Sequence, residues 1–440
     1  MKRKVVGMMM AFSMVLSLAG CGNGSAKTGD SKQGGGGAGS TISVAIWDNN
    51  QLKGLQQIAD EWSEASGVNV EFQVIDWGTY WTMLEAGVSG GEMPDVFWMH
   101  SGYVQMYTNS NVLLDLNTYI EGDDKINLEN YYPGITNLYS KDGVQYAIPK
   151  DHDTIAVIYN KTVFDKYGIE YPTNDWTWQE YAQTAQEITE KGKDDGVYGT
   201  HLNTGSNQAG WYNIIYSFGG SVISEDRKTS MMDSEKTLEA MQFLHDEILP
   251  ACPTQDSMAS TAGDTMLMSG KVGMLMDGSW MVNSYYAADN KEDFGWAELP
   301  YADLNGNGQC EPEERVSIYN GLGWSIYSGT KNADAAWGLV SALCSKEGQI
   351  KQSELGVTMS GYIGASEMFG DAFEGMDVSP FVDIEENGTL VFRPYSKYTG
   401  RWEDNFTQLL VPAWNDEKTM EEALHEIAAD MNELLASENE

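Results

Sequence analysis

From Thr41 onward the chain alternates short β-branched runs with longer stretches whose apolar residues recur at helical spacing, and no other feature restricts its fold as much. Ile42, Val44 and Ile46 alternate as a strand, after which Leu52, Leu55, Ala59 and Trp62 follow a helical period until Gly67, a residue suited to ending a helix. Val68, Val70, Phe72 and Val74 predict a second strand, Tyr80 to Val88 a helix stopped by Gly90 and Gly91, and Asp95 to Met99 a third strand. This βαβαβ unit implies an α/β sheet flanked by helices. The rhythm restarts with a strand from Thr154 to Tyr159. Thr177, Trp178, Gln179 and Glu180 spell a capping box for a helix through Ile188, Asn207 is read as the cap of another ending at Gly219 and Gly220, and Ser234 to Ile248 as a third. Val272 to Met276 reads as a strand, the alternation Ile318, Asn320, Leu322, Trp324, Ile326 as another, and Met420, Leu424, Ile427, Met431 and Leu434 mark a C-terminal helix. The 400 residues after Ser40 are too many for one such sheet, so two lobes are expected, and no internal repeat is visible.

The N-terminus has a separate logic. Lys2, Arg3 and Lys4 precede the apolar run Val5 to Leu18, a signal-peptide pattern too short for a membrane span. Leu18-Ala19-Gly20-Cys21 resembles the bacterial lipobox, which implies a signal ending at residue 20 and a diacylated Cys21 holding the chain on the extracellular membrane face. Gly22 to Ser40, with four consecutive glycines, reads as a flexible tether. Loss of the signal leaves 23 of the 26 basic residues against 65 acidic ones, a formal −42 that would repel nucleic acid. Besides Cys21 the only cysteines are Cys252, Cys310 and Cys344; a Cys252–Cys310 bridge is permitted but not specified, and Cys344 reads as a small core residue.

Ligands of open parallel sheets lie beyond the carboxyl ends of strands, where Trp47 and Trp98 fall. Trp280 follows the strand Val272 to Met276, Trp324 lies in a strand near two glycines, and Trp211 opens a helical stretch. An indole offers a flat apolar face and one polar N–H, which suits sugar rings with apolar C–H faces and hydroxylated rims. Trp62 and Trp337 fall on apolar helical faces and are assigned to the core. Asp151 and Asp153, two apart in an extended segment, face the same way with Cα atoms about 6.5 to 7 Å apart. They serve either as acceptors for sugar hydroxyls or as an acid/base pair of a glycoside hydrolase. Asp303, Asn305, Asn307, Gln309, Glu311 and Glu314 occupy the oxygen positions of a twelve-residue calcium loop with glycine at its sixth place, so a structural Ca²⁺ is expected. Flanking EF-hand helices are missing, since Trp296 to Pro300 reads as strand. No nucleophile elbow, phosphate loop or zinc motif is present, and the five histidines lack metal-ligand spacing. No enzymatic activity is expected.

Short segments in fixed order resemble the extracellular solute-binding proteins of ABC sugar importers, the maltose-binding-protein-like class of solute-binding family 1. They are Pro94-Asp95-Val96, Tyr146-Ala147-Ile148-Pro149, Tyr159-Asn160-Lys161, Gly219-Gly220, Gly270-Lys271-Val272 with Gly278-Ser279-Trp280, and Asn320-Gly321 before Ala335-Ala336-Trp337. The resemblance implies a type II periplasmic-binding-protein-like fold of two lobes, each a mostly parallel sheet with helices, joined by a hinge. The lobes would comprise residues 41–150 with 321–360, and 151–320 with 361–440. It implies that Trp280 stacks on a sugar, that Asp151 and Asp153 bind hydroxyls, and that Trp211 and Tyr212 line the site; Gln51, Asp95 and Asn320 complete the candidate set. A monomer would capture a carbohydrate by hinge closure and hand it to permease subunits in the membrane. The calcium loop lies outside what the resemblance implies. A polyamine or other cation receptor, or a surface glycoside hydrolase, are the competing readings.

Overall fold

The strand β1 (Thr41–Ile46) is covered on both faces because its alternate residues belong to different cores. Ile42, Val44 and Ile46 pack with Leu55, Ile58 and Ala59 of α1 (Asn49–Ser66), whereas Ala45 joins Tyr80, Trp81 and Leu84 of α2 (Trp77–Gly90). The computed structural model of the protein describes residues 39–202 and 207–438, all within one unit, Gly35–Glu440. The signal sequence, Cys21 and most of the expected tether lie outside the described residues. Asp48 caps α1 by accepting from Asn50 N at 2.8 Å, and Gly67 ends it at φ 73°, a left-handed conformation that costs glycine nothing. β2 (Asn69–Val74) pairs with β1 in parallel at the sheet edge, and β3 (Val96–Met99) is wholly buried on the other side. Gly323–Ile326 and Ala147–Pro149 complete this five-stranded sheet in the order β2, β1, β3, Gly323–Ile326, Ala147–Pro149.

A second sheet has the order Phe294–Ala297, Ile155–Asn160, Val272–Gly278, Tyr198–Thr200. Its larger core lies under the helices Trp178–Gly192, Trp211–Ser217, Thr399–Trp414 and Met420–Ser437. The Thr177 and Glu180 capping box opens the first of these as expected, and Thr419 and Glu422 form another at the start of the last. Molecules of this architecture are two-lobed, with mixed helix and sheet. The expectation of mostly parallel sheets needs correction: Gly323–Ile326 runs antiparallel to both its neighbours, and in the second sheet only Tyr198–Thr200 with Val272–Gly278 is parallel. A strand entering from the other lobe needs no helical crossover, so it is free to arrive antiparallel.

The chain passes between the sheets through Lys150–Thr154 and back through Asn320–Leu322, and the bridges Asp153 with Asn320 and Asp151 with Ser360 lay three crossing segments side by side. The alternating run from Ile318 to Ile326 is therefore two strands. Val316–Tyr319 pairs with Thr389–Phe392, and only Gly323–Ile326 joins the first sheet. Asn207 does not cap the following helix. Gly210 stands at that position without a side-chain bond, and the Asn207 amide instead donates to the Tyr212 hydroxyl at 3.2 Å. Cys252, Cys310 and Cys344 are free, Cys252 and Cys344 in buried positions.

Candidate functional site

The ends of β1 and β3 and the start of α2 deliver aromatic rings into the gap between the two sheets. Trp47 follows β1, Trp77 opens α2 behind its Asp76 cap, and His100 follows β3. Trp47 and Trp77 meet edge to face with centroids 5.0 Å apart, and the His100 ring lies 5.1 Å from Trp77. From the second lobe, Trp280 follows the strand Val272–Gly278. These four rings, with Gln208, Asp153 and Asn320, border an inner cavity of about 340 Å³. Trp77, His100, Gln208 and Trp280 also border an outer cavity of about 830 Å³, so the two adjoin as one cleft. Asn50 of α1 donates to Ser284 Oγ at 2.9 Å, a hydrogen bond that ties the lobes together across the gap.

Polar groups converge on the inner cavity. Asn320, 1% exposed, donates its N–H to Asp153 Oδ1 at 3.0 Å and holds its side-chain amide 3.3 Å from His100 Nε2. Gln208 Nε2 donates to the same Asp153 oxygen. Burial, and secondarily the neighbouring Asp151, raise the Asp153 carboxyl to about 7. Burial and Arg393 hold His100 well below its usual value, so the ring is neutral; its Nδ1 accepts from Gly102 N at 3.1 Å, which places the proton on Nε2. Flat indoles edged by a few directional donors and acceptors fit a small hydroxylated ring, since each buried polar group needs a partner and the ring faces need none.

Asp151 borders this cavity but its oxygens are committed. Oδ2 lies 2.6 Å from Lys150 Nζ and accepts from Thr358 Oγ1 at 3.3 Å, while Oδ1 accepts from Leu322 N at 2.7 Å. Lys150 also donates to Gln51 Oε1 at 2.8 Å, so Gln51 reaches the cavity wall with its carbonyl already used. Five expected site residues are corrected. Trp98 and Trp324 are opposite partners on neighbouring strands, fully buried with centroids 5.8 Å apart. They lie inside the strands, on the face covered by the helix Ala333–Cys344, and the first residue to clear β3 on that face is His100. Trp211 is buried against Tyr212 and Phe406, and Tyr212 lies behind the cleft wall with its hydroxyl 3.2 Å from Glu403 Oε1. Asp95 precedes β3, at the wrong end of the sheet, where Oδ2 accepts from Ser43 N and Oγ at 2.9 Å and Oδ1 accepts from Thr330. Trp77, His100, Gln208 and Arg393 were not anticipated. Trp77, His100 and Arg393 each follow a strand, so the strand-end rule applied to every strand would have found them.

The Asp303 to Glu314 loop stands apart from the cleft. Asp303 Oδ1 and Oδ2 accept from Asn307 N and Gly308 N at 3.0 and 3.1 Å, Asn305 Oδ1 accepts from Asn307 N at 2.9 Å, and Asn307 Oδ1 from Gln309 N at 2.7 Å. The two Glu314 oxygens accept from Leu304 N and Glu311 N at 3.0 and 3.3 Å. Among the described residues no group of three or more His, Cys, Asp or Glu side chains is arranged to hold a metal.

Comparison with known proteins adds independent findings. The family described as bacterial extracellular solute-binding protein matches residues 48–350. A maltotriose-binding protein of Pyrococcus abyssi is 26% identical over 335 residues, 74% of this chain and 68% of that protein. A diacetylchitobiose binding protein of Streptomyces coelicolor is 22% identical over 346 residues, 76% of each chain. The solved structure of a Listeria monocytogenes ABC substrate-binding protein in complex with cycloalternan superposes with a TM-score of 0.77 at 21% identity, covering 90% of this chain and 99% of that one.

Proposed function

The chain belongs to the bacterial extracellular solute-binding proteins, and on that premise we propose that it captures a carbohydrate between its lobes and delivers it to an ABC permease. One observation carries the carbohydrate assignment: Trp47, Trp77 and Trp280 face a cavity whose remaining wall offers Asn320, Gln208 and Asp153. Relatives named for binding maltotriose and diacetylchitobiose support it. The protein acts by binding alone. That reading is supported by the commitment of Asp151 to Lys150, which leaves Asp153 without a free carboxyl neighbour to complete an acid/base pair. Attachment through a lipid on Cys21 and a monomeric state belong to the same proposal, supported by the lipobox pattern and by a cleft built within one chain. So does a structural Ca²⁺ in the Asp303 to Glu314 loop, supported by side-chain oxygens at alternate positions and by Gly306 and Gly308 at φ 70° and 67°.

Isothermal titration against mono- and oligosaccharides tests the assignment. At least one saccharide should bind, and Trp280→Ala should weaken it by about tenfold or more through the lost stacking face, with thermal melting checking that the variant folds. Silence across a broad glycan panel, or full affinity in Trp280→Ala, would overturn it. Binding of spermidine in place of sugars would favour the cation receptor.

A further inference from the structure

The cleft is uneven in charge. The inner cavity has Asp48, Asp151 and Asp153 on its wall and no lysine or arginine of its own, whereas Arg393, Lys397 and Arg401 line the outer one. Gathering three cations on one wall runs against a composition of 26 basic and 65 acidic residues. Two carboxylates stand among them. Glu403 is spent, with Oε2 2.6 Å from Arg393 Nη2 and Oε1 accepting from Tyr212, while Asp404 is exposed. Arg393 donates a second bond to Ser101 Oγ at 3.1 Å and keeps Nε without a partner among the described residues. Lys397 and Arg401 form no ion pair among the described residues; the Lys397 ammonium sits 5.0 Å from the Tyr398 ring.

Backbone and side-chain charge reinforce one another here. Lys397 and Arg401 flank the start of the sixteen-residue helix Thr399–Trp414, whose N-terminal end carries a partial positive charge. No acidic residue lies in its first turn, Tyr398 supplies no side-chain cap, and an arginine stands in that turn. Glu438 accepts from Lys397 N and Tyr398 N, at 3.1 and 2.8 Å, but not from the next residues of the turn. Gly400 borders the cavity, and a Cβ placed on it would meet only Gly102 O at 3.6 Å. Unpaired cations and a helix start with no acidic residue in its first turn thus border one cavity continuous with the indole platforms.

We propose that the outer cavity receives an anionic substituent, a carboxylate or a sulfate, on an oligosaccharide whose neutral rings stack in the inner cavity. This rests on the carbohydrate reading and narrows it to acidic glycans. Isothermal titration of the purified full chain would use a panel in which each neutral oligosaccharide is matched by one of equal length bearing a uronic acid, by the methyl ester of that acid, and by a sulfated form. A charged member should bind about tenfold or more tightly than its neutral and esterified counterparts, with the advantage shrinking as salt rises. In Lys397→Ala/Arg401→Ala the ratio of charged to esterified affinity should fall toward one, with thermal melting checking that the variant folds. Which charged member gains identifies the group. Neutral members binding as tightly as charged ones, or a double variant that keeps the preference, would overturn the anion site and leave the carbohydrate reading standing. No binding by any member would overturn both.

Discussion

Lys150 shows how a residue beside a binding site can serve the scaffold instead. It is fully buried, its ammonium lies 2.6 Å from Asp151 and 4.7 Å from the centre of the Trp98 ring, and of these groups only Asp151 borders the inner cavity. Removing one partner of such a pair strands a buried charge. Lys150→Met should therefore cost about 3–5 kcal/mol in urea unfolding, and adding Asp151→Asn should recover part of it. A single variant as stable as the parent would refute the pairing. Asp277 is a half-buried acid: its oxygens accept from Gly278 N at 2.9 Å and Tyr285 OH at 3.0 Å, and desolvation raises it from 3.8 to about 7. The folded state then keeps a proton that the unfolded chain releases near pH 4, so stability falls as pH rises from about 4 to about 7 and levels off above. Asp277→Asn should gain about 1–2 kcal/mol at pH 8 and nothing at pH 4, the upper figure limited by water entering the cavity that the carboxyl borders. Parallel stability curves from pH 4 to 8 would contradict this.

Among the elements, the segment around Gly321 has little freedom. A Cβ there would come within 2.3 Å of Asp151 O and 2.4 Å of Ile135 Cδ1, so only glycine lets the two crossing segments lie against each other. That contact breaks the alternating run into two strands, aims Asn320 into the cleft and leaves Trp324 in the core. The loop from Asp303 to Glu314 poses a different question, because its oxygens already accept hydrogen bonds from its own N–H groups. Each oxygen retains a lone pair, so a cation is compatible with those bonds. Millimolar Ca²⁺ should raise the melting temperature of the parent chain and leave that of Glu314→Gln unmoved. A parent that melts identically in calcium and in chelator would mean that hydrogen bonds alone hold the loop.

For the whole molecule, the decisive geometry is three chain crossings beside a cleft whose walls come from two sheets. A hinged pair of lobes closes when a ligand touches both, because only the closed form offers all its contacts. The Asn50–Ser284 hydrogen bond spans the cleft between the lobes. Small-angle scattering should accordingly give a smaller radius of gyration with a saturating saccharide than without it. Ser284→Ala should weaken binding by less than about tenfold, since a single exposed hydrogen bond contributes roughly 0.5–1.5 kcal/mol. An unchanged radius on binding would argue for a rigid cleft.

Local pattern alone determined the first three strands and two helices of the first lobe, the capping box at Thr177, the C-terminal helix and the place of Trp280 after its strand, because hydrophobic period and cap chemistry act within a few residues of one another. It also carried the likeness to sugar-importer receptors. Which tryptophans face solvent was a tertiary decision. Alternation fixes which residues of its own strand share a face with Trp98 or with Trp324, but only strand pairing puts the two side by side and only the helix packed on that face makes it interior. The bonds that Asp151 accepts from Leu322 and Thr358, the split of Ile318 to Ile326 between two sheets, and the meeting of Arg393, Lys397 and Arg401 with Trp77 depend on contacts between residues far apart in the chain, which no local period encodes.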